Sequence, residues 1–264
     1  MTRNVLVTND DGIESPGLWA LAEAVRPFAG GVYVVAPSTN QSAVGAGMTM
    51  NRELRWEELD DPPVEGVRAW HVNGTPGDCV MIGLRQIVDR WITVVLSGVN
   101  AGANLGNDVL ASGTVGGAFQ GHFRGLTSMA FSQALIQGRD HDWSGTAAVA
   151  QDIFEATLTD SPVGNVFLNV NIPAIPYHEI KGTLVTRMGR SGYLQLTEVA
   201  KDRAVVEREM DLPTHPKAPP GTDVWAILHG FVSVSPMHSN LTDHRLLDSL
   251  AERLNSPAGQ RTKP

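Results

Sequence analysis

Short apolar, β-branched runs alternate with helix-length segments through roughly the first 170 residues, and that alternation constrains the fold more than any other feature. Val5 to Thr8, Val32 to Ala36, Thr93 to Leu96, Ser128 to Phe131 and Val166 to Val170 each have the length of a buried strand. Helical patterns are predicted between them, from about Gly17 to Phe28, Asp78 to Arg90, Val115 to Phe123 and Trp143 to Leu158. Alternation at this spacing predicts an α/β fold, a Rossmann-like, mostly parallel sheet flanked by helices. At 264 residues, 42% of them hydrophobic, the chain can bury a substantial core as one large domain or as a domain with an appendage.

From Ile180 onward the texture changes. Gly182 to Arg187, Tyr193 to Val199 and Ala204 to Glu209 are short β-like pieces, broken by glycines and by the segment from Pro213 to Gly221. The expected organisation is an α/β core over 1–175 and a β-hairpin arm for oligomerisation over 176–222. A strand and a helix over 223–254 complete the fold, and 255–264 is a flexible tail. Asp223 to Val234 reads as strand-like and Asp243 to Leu254 as the terminal helix.

Charge and composition exclude several classes of function. A net charge of −8 argues against binding nucleic-acid polymers or anionic membranes, which needs basic patches. Cys79 is the only cysteine, so disulfide frameworks and cysteine-based zinc sites are excluded within one chain. No run approaches the ~18 apolar residues of a membrane span, and the N-terminus enters a strand directly, so a cytoplasmic protein is expected. No lysine precedes Lys181, so a phosphate loop of the Gly-Lys-Ser/Thr kind is absent from the first two thirds. Phosphate bound there would need backbone amides, hydroxyls, arginine or a metal.

Three loops that follow predicted strands are rich in oxygen donors or bare backbone. The first is Asn9-Asp10-Asp11-Gly12, the second runs from Ser38 to Gly47 through Asn40, Gln41 and Ser42, and the third from Ser97 to Asp108, continuing to Ser112-Gly113-Thr114. If their strands are parallel neighbours, all three open on one edge of the sheet, where α/β folds collect ligands. Adjacent carboxylates repel and lose hydration there unless a cation compensates them, and oxygen-rich sites suit Mg²⁺ or Mn²⁺. Hydroxyls and free amides at the start of the following helix form a phosphate site without lysine. Taken singly, each piece also has a structural reading: an acidic helix-capping turn, a long connection, Ser112 as a helix cap, His122 packed on an apolar helix, Cys79 in the core.

Five ordered segments resemble the SurE family of survival-protein nucleotidases, which are metal-dependent phosphatases of nucleoside monophosphates. They are Val-Thr-Asn-Asp-Asp-Gly-Ile at 7–13, Val-Val-Ala-Pro at 34–37 with Ser42, Gly-Thr-Pro-Gly-Asp-Cys-Val at 74–80, Ser-Gly-Val-Asn-Ala-Gly-Ala-Asn-Leu-Gly at 97–106 and Ser-Gly-Thr-Val at 112–115. The resemblance implies one divalent metal ion per subunit (Mg²⁺ or Mn²⁺) on Asp10, Asp11, Ser42 and Asn100. It assigns phosphate oxygens to Asn9, Asn104, Ser112, Gly113 and Thr114, and a shaping role to Gly74 to Asp78. Asp10 and Asp11 are the catalytic candidates, with the proton acceptor left open between either of them and a histidine. A small phosphomonoester substrate and a homodimer or homotetramer are implied as well.

The chain departs from the family pattern around the pocket. Ser38-Thr39-Asn40-Gln41 stands where a charged run is usual, Ala111 where a larger residue is common, and Gly116 to Gln120 where small residues and a Glu are common. Three readings stay open on the sequence: a nucleoside monophosphatase, a phosphatase retuned to another small phosphomonoester, and a non-catalytic nucleotide- or metabolite-binding protein. A covalent aspartyl-phosphate route fits poorly, because its carboxylates stand two apart and need a later lysine.

Overall fold

The computed structural model describes residues 3–135, 140–158, 165–190, 194–200, 203–208 and 218–255. In chain order the elements are β1 (Asn4–Thr8), α1 (Pro16–Val25), β2 (Gly31–Pro37), β3 (Trp56–Glu58), β4 (Arg68–Val72), α2 (Pro76–Ile82), β5 (Ile92–Ala101), α3 (Gly113–His122), β6 (Thr127–Gln133), α4 (Trp143–Leu158), β7 (Phe167–Ile172), β8 (Thr183–Val185), β9 (Leu194–Ala200), β10 (Arg203–Arg208), α5 (Asp223–Leu228), β11 (Val232–Pro236) and α6 (Leu247–Asn255). Nine strands form one sheet in the order β3-β4-β2-β1-β5-β6-β7-β11-β8. The six strands from β4 to β7 are mutually parallel; β3 pairs antiparallel with β4, and β11 antiparallel with β7. The expected mostly parallel α/β sheet is therefore present.

Both faces of the central strands are covered, which is why they read as continuous apolar runs rather than alternating ones. Val5 and Val7 of β1 pack with Leu18, Leu21 and Val25 of α1 and with Val149 and Phe154 of α4. Leu6, between them, points to the opposite face with Val35, Val95 and the α2 residues Cys79 and Val80. Helices α1 and α4 thus cover one face, and α2 and α3 the other. Cys79 is a core residue, fully buried.

Several boundaries differ from expectation for physical reasons. The helix expected from Asp78 to Arg90 starts earlier, because Thr75 and Asp78 form a capping box around Pro76, and beyond Ile82 it loosens into a π-turn over Gly83–Ile87. Asp223 to Val234 is not one strand-like unit. The Thr222 hydroxyl accepts from Trp225 N–H and starts α5, and only Val232–Pro236 is strand. β3 and β4 went unforeseen because Trp56–Glu58 is exposed and Arg68 and His71 interrupt the apolar run.

The piece at Thr183–Val185 joins the main sheet beside β11, whereas among the described residues β9 and β10 pair with each other alone, as an antiparallel hairpin. Residues 213–217 of the Pro213–Gly221 segment, and 256–264 of the tail, lie outside the described residues. Leu246, Leu247, Leu250 and Leu254, at α6 and the turn before it, are all exposed. Among the described residues no helix is long and apolar enough to cross a membrane.

Candidate active site

β2, β1 and β5 are adjacent and parallel, so the loops after them open together at their carboxyl ends. The three predicted loops are therefore neighbours in space. Direct hydrogen bonds join them: Gln41 N–H donates to Asp10 O at 2.7 Å, and Ala101 N–H donates to Asp11 Oδ2 at 3.1 Å.

Asp10 is the most constrained member. It is 3% exposed, and Thr114 Oγ1 donates to its Oδ1 through a short contact. Burial, with a smaller contribution from the Asp11 charge, pushes its pKa up to about 6, although bonds from the Thr114 hydroxyl and backbone N–H pull the other way. Gly113 makes this approach possible: a Cβ there would sit 2.8 Å from Asp10 Cβ and 2.9 Å from Oδ2.

Asn100 reaches the same edge through an irregularity in β5. Against β6, Ser97 pairs with Ala130 and Asn100 with Ser132, so β5 carries one extra residue. Such a bulge re-aims the side chains that follow it. Gly98 sits at φ 129°, and a Cβ on it would lie 2.3 Å from Phe131 O, so only glycine fits. Asn100 Nδ2 donates to Gly102 O at 2.6 Å, which leaves its Oδ1 as the group available to a cation.

The second loop is pinned at both ends. Ser42 N–H donates to Asn40 Oδ1 at 2.9 Å, while its own side chain is exposed. Gly45 N–H donates to Ala111 O at 2.9 Å, and Gly116 lies so close that a Cβ on it would fall 2.1 Å from Gly45 O. At the far end, buried Asp78 accepts from Thr49 N–H at 3.0 Å and Thr75 Oγ1 donates to Gly47 O at 2.8 Å. The Gly74–Asp78 segment thus shapes this loop through its own helix cap.

The phosphate-assigned residues divide into two groups. Ser112 Oγ accepts from Val115 N–H at 3.1 Å as the N-cap of α3, and its hydroxyl proton remains to donate; Gly113 follows at the first helical position. Asn9, by contrast, closes its own turn, with Nδ2 donating to Gly12 O at 2.8 Å and Oδ1 accepting from Gly12 N–H at 3.2 Å. Thr114 is occupied with Asp10. Asn104 is 2% exposed and held from below: Asn171 Oδ1 accepts its N–H, Asn169 and Asn171 donate to its carbonyl, and its Nδ2 donates to Ser132 Oγ at 2.8 Å.

Sequence reasoning missed the supports of the third loop. Asp223, fully buried, accepts from Gly106 N–H at 2.8 Å and from Gly189 N–H at 2.7 Å, joining that loop to the segment before the hairpin. Asn169 and Asn171 were visible as polar residues in an apolar strand, the signal that could have exposed this role. His122 is stacked on Phe167 at 5.3 Å, away from the carboxylates in its contacts, as its structural reading expected. Gln120 is buried and accepts from Arg124 Nη1 through both its carbonyl and its Oε1, so that departure is absorbed in packing.

A cation answers the electrostatics of this edge. Asp10 is taken out of water beside a second carboxylate, and the groups near it offer hydroxyl and amide dipoles rather than a full positive charge. Among the described residues no group of three or more His, Cys, Asp and Glu is arranged to hold a metal ion, so any cation at this edge would lean on neutral oxygens as well. Two carboxylates with Ser and Asn oxygens fit a hard divalent ion.

Comparison with known proteins agrees with this geometry. Residues 5–195 match the family of the survival protein SurE. The chain belongs to the SurE family. It is 41% identical over 260 residues to the 5′-nucleotidase SurE of Moorella thermoacetica, covering 95% of this chain and 96% of that protein. It is 36% identical over 242 residues to the 5′-nucleotidase SurE of Dehalococcoides mccartyi strain CBDB1, covering 90% and 89%. The crystal structure of the SurE protein from Aquifex aeolicus superimposes with a TM-score of 0.80 at 36% identity, covering 94% of this chain and 98% of that one. The SurE resemblance read from five segments thus extends over nearly the whole chain.

Proposed function

We propose that this chain is a divalent-metal-dependent 5′-nucleotidase that hydrolyses nucleoside monophosphates to nucleoside and phosphate. The observation that carries the reading is the buried Asp10 beside Asp11 at the end of β1, clamped by Thr114 at the mouth of α3, in a chain of the SurE family. Asp10, Asp11, Ser42 and Asn100 would hold one Mg²⁺ or Mn²⁺ per subunit. When bound, such an ion supplies charge neutralisation of the phosphoryl group and activation of water.

The chain's own residues do the rest. The Ser112 hydroxyl and the amides at the start of α3 bind phosphate oxygens and oppose the charge that grows on them during in-line attack. Asn104 and Asn9 keep a second amide proton each, and in this reading they donate it to the same oxygens while their first bonds hold the loops still. In this reading Asp10 or Asp11 takes the proton of the attacking water. Thr114 acts one step back, as the residue that orients Asp10.

The β9–β10 hairpin and the uncovered leucines of α6 support a homodimer or homotetramer in this reading. In this reading the enzyme works in the cytoplasm. The test is phosphate release from nucleoside 5′- and 3′-monophosphates, sugar phosphates and p-nitrophenyl phosphate. A clear preference for nucleotides supports the proposal, and turnover of the other esters alone moves the substrate class.

A further inference from the structure

Two strands from the carboxylates, across β5 at the end of β6, a cavity of about 140 Å³ lies beside Gln133, His141, Asp142, Ile175 and Pro176. Its nearness to the site is covalent and hydrogen-bonded. Ala101, whose N–H holds Asp11, is the β5 partner of Gln133, and Gln133 O accepts from Gly102 N–H at 2.8 Å. Asp11 is close enough for its charge to act on the titration of His141.

His141 is held in place. Its ring stacks on Trp143 at 4.4 Å and 21°, and Trp143 is seated where Gly17 has no side chain, since a Cβ there would lie 2.8 Å from Trp143 Cζ3. His141 Nδ1 meets Gln133 Oε1 at 3.0 Å. An amide oxygen only accepts, so Nδ1 carries the proton and Nε2 is left with a lone pair. Burial pulls the His141 pKa below the usual histidine value, which keeps that lone pair available at neutral pH. A lone pair there receives a hydroxyl and repels an anion, and Asp140 and Asp142 on the same wall oppose a second phosphate.

We propose that this cavity is the subsite for the sugar of the leaving nucleoside, with His141 Nε2 accepting a hydrogen bond from one ribose hydroxyl. The proposal rests on the nucleotidase reading for its substrate, and it makes His141 a specificity-determining residue. Gln133 and Trp143 set its tautomer and ring plane.

The test pairs kinetics with a binding signal that needs no metal. Adenosine 5′-monophosphate is compared with its 2′-deoxy and 3′-deoxy counterparts in the wild type, His141→Ala and His141→Gln. Losing the recognised hydroxyl should raise KM about fivefold in the wild type, the worth of one neutral hydrogen bond. His141→Ala should erase that discrimination, and His141→Gln, whose amide oxygen can accept at the Nε2 position, should restore part of it. Separately, adenosine is added to EDTA-treated protein while the histidine ring resonances are followed, with the His141 signal identified by its loss in His141→Gln. A shift of that signal supports the subsite even if no nucleotide is turned over, in which case the nucleotidase reading alone fails. No shift at millimolar adenosine, or deoxy discrimination that survives in His141→Ala, overturns the proposal.

Discussion

The hydroxyl of Thr114 donates to Asp10 Oδ1 across a separation of 104 residues, so the first turn of α3 and the end of β1 form one unit. Thr114, which the family resemblance assigns to phosphate, also orients a carboxylate. Groups that orient metal ligands typically cost 10–100-fold in metal affinity or activity when removed, roughly the range expected for Thr114→Val. Thr114→Ser keeps the donor and should stay near wild type. Mn²⁺ titration calorimetry on both variants checks this.

Asp10 makes the metal-free protein pH-sensitive. Its folded pKa, about 6, lies above the ordinary carboxylate value, so its contribution to stability is fully present below the unfolded pKa of ~3.9 and is lost as pH rises through about 6. In EDTA at pH 8, Asp10→Asn should therefore be more stable than wild type, by up to about 3 kcal/mol, with the gap closing toward pH 4. The same variant should lose metal-dependent turnover. Thermal melts across that pH range, run on both proteins, supply the comparison; equal melting curves at pH 8 would contradict a strained carboxylate.

Gly116 is the contact point between α3 and the Ser42 loop. A Cβ at 2.1 Å from Gly45 O cannot be relieved by a side-chain rotation, because the obstacle is backbone. Gly116→Ala should cost about 1–3 kcal/mol or more in urea unfolding, and it should weaken metal binding by displacing the loop. A fully stable variant with normal metal affinity would show that the loop has freedom the packing denies.

Asp223→Asn should loosen the third loop without touching substrate. The buried carboxylate serves Gly106 and Gly189 together, and an amide can keep only one oxygen acceptor while adding donors that face N–H groups. A loss of about 2–4 kcal/mol in stability is expected, together with a raised KM from a less ordered Asn104. Urea unfolding and steady-state kinetics read the two effects separately.

How much of this was legible in the sequence varies by element. β1, β2 and β5 stood out because both their faces are buried, and that placed Asp10, Asp11 and Asn100 on one edge before any coordinates. β4 did not, because Arg68 and His71 dilute its apolar run. α5 was mistaken for strand because Val224, Ala226 and Ile227 read equally well in either form, and only the Thr222 cap decides. The tasks of Thr114 and Asp223 were invisible for another reason. Each acts through a partner more than 100 residues away, and spacing along the chain carries no trace of such pairs.

The central claim is that Asp10 and Asp11 work through a divalent ion. The most direct measurement is phosphate release from adenosine 5′-monophosphate by EDTA-treated protein, before and after adding back Mg²⁺ or Mn²⁺, with Asp10→Asn alongside. The account predicts no release in EDTA, recovery with one of the two metals, and no recovery in Asp10→Asn. Turnover that is indifferent to EDTA, or an Asp10→Asn variant that recovers like wild type, would contradict it.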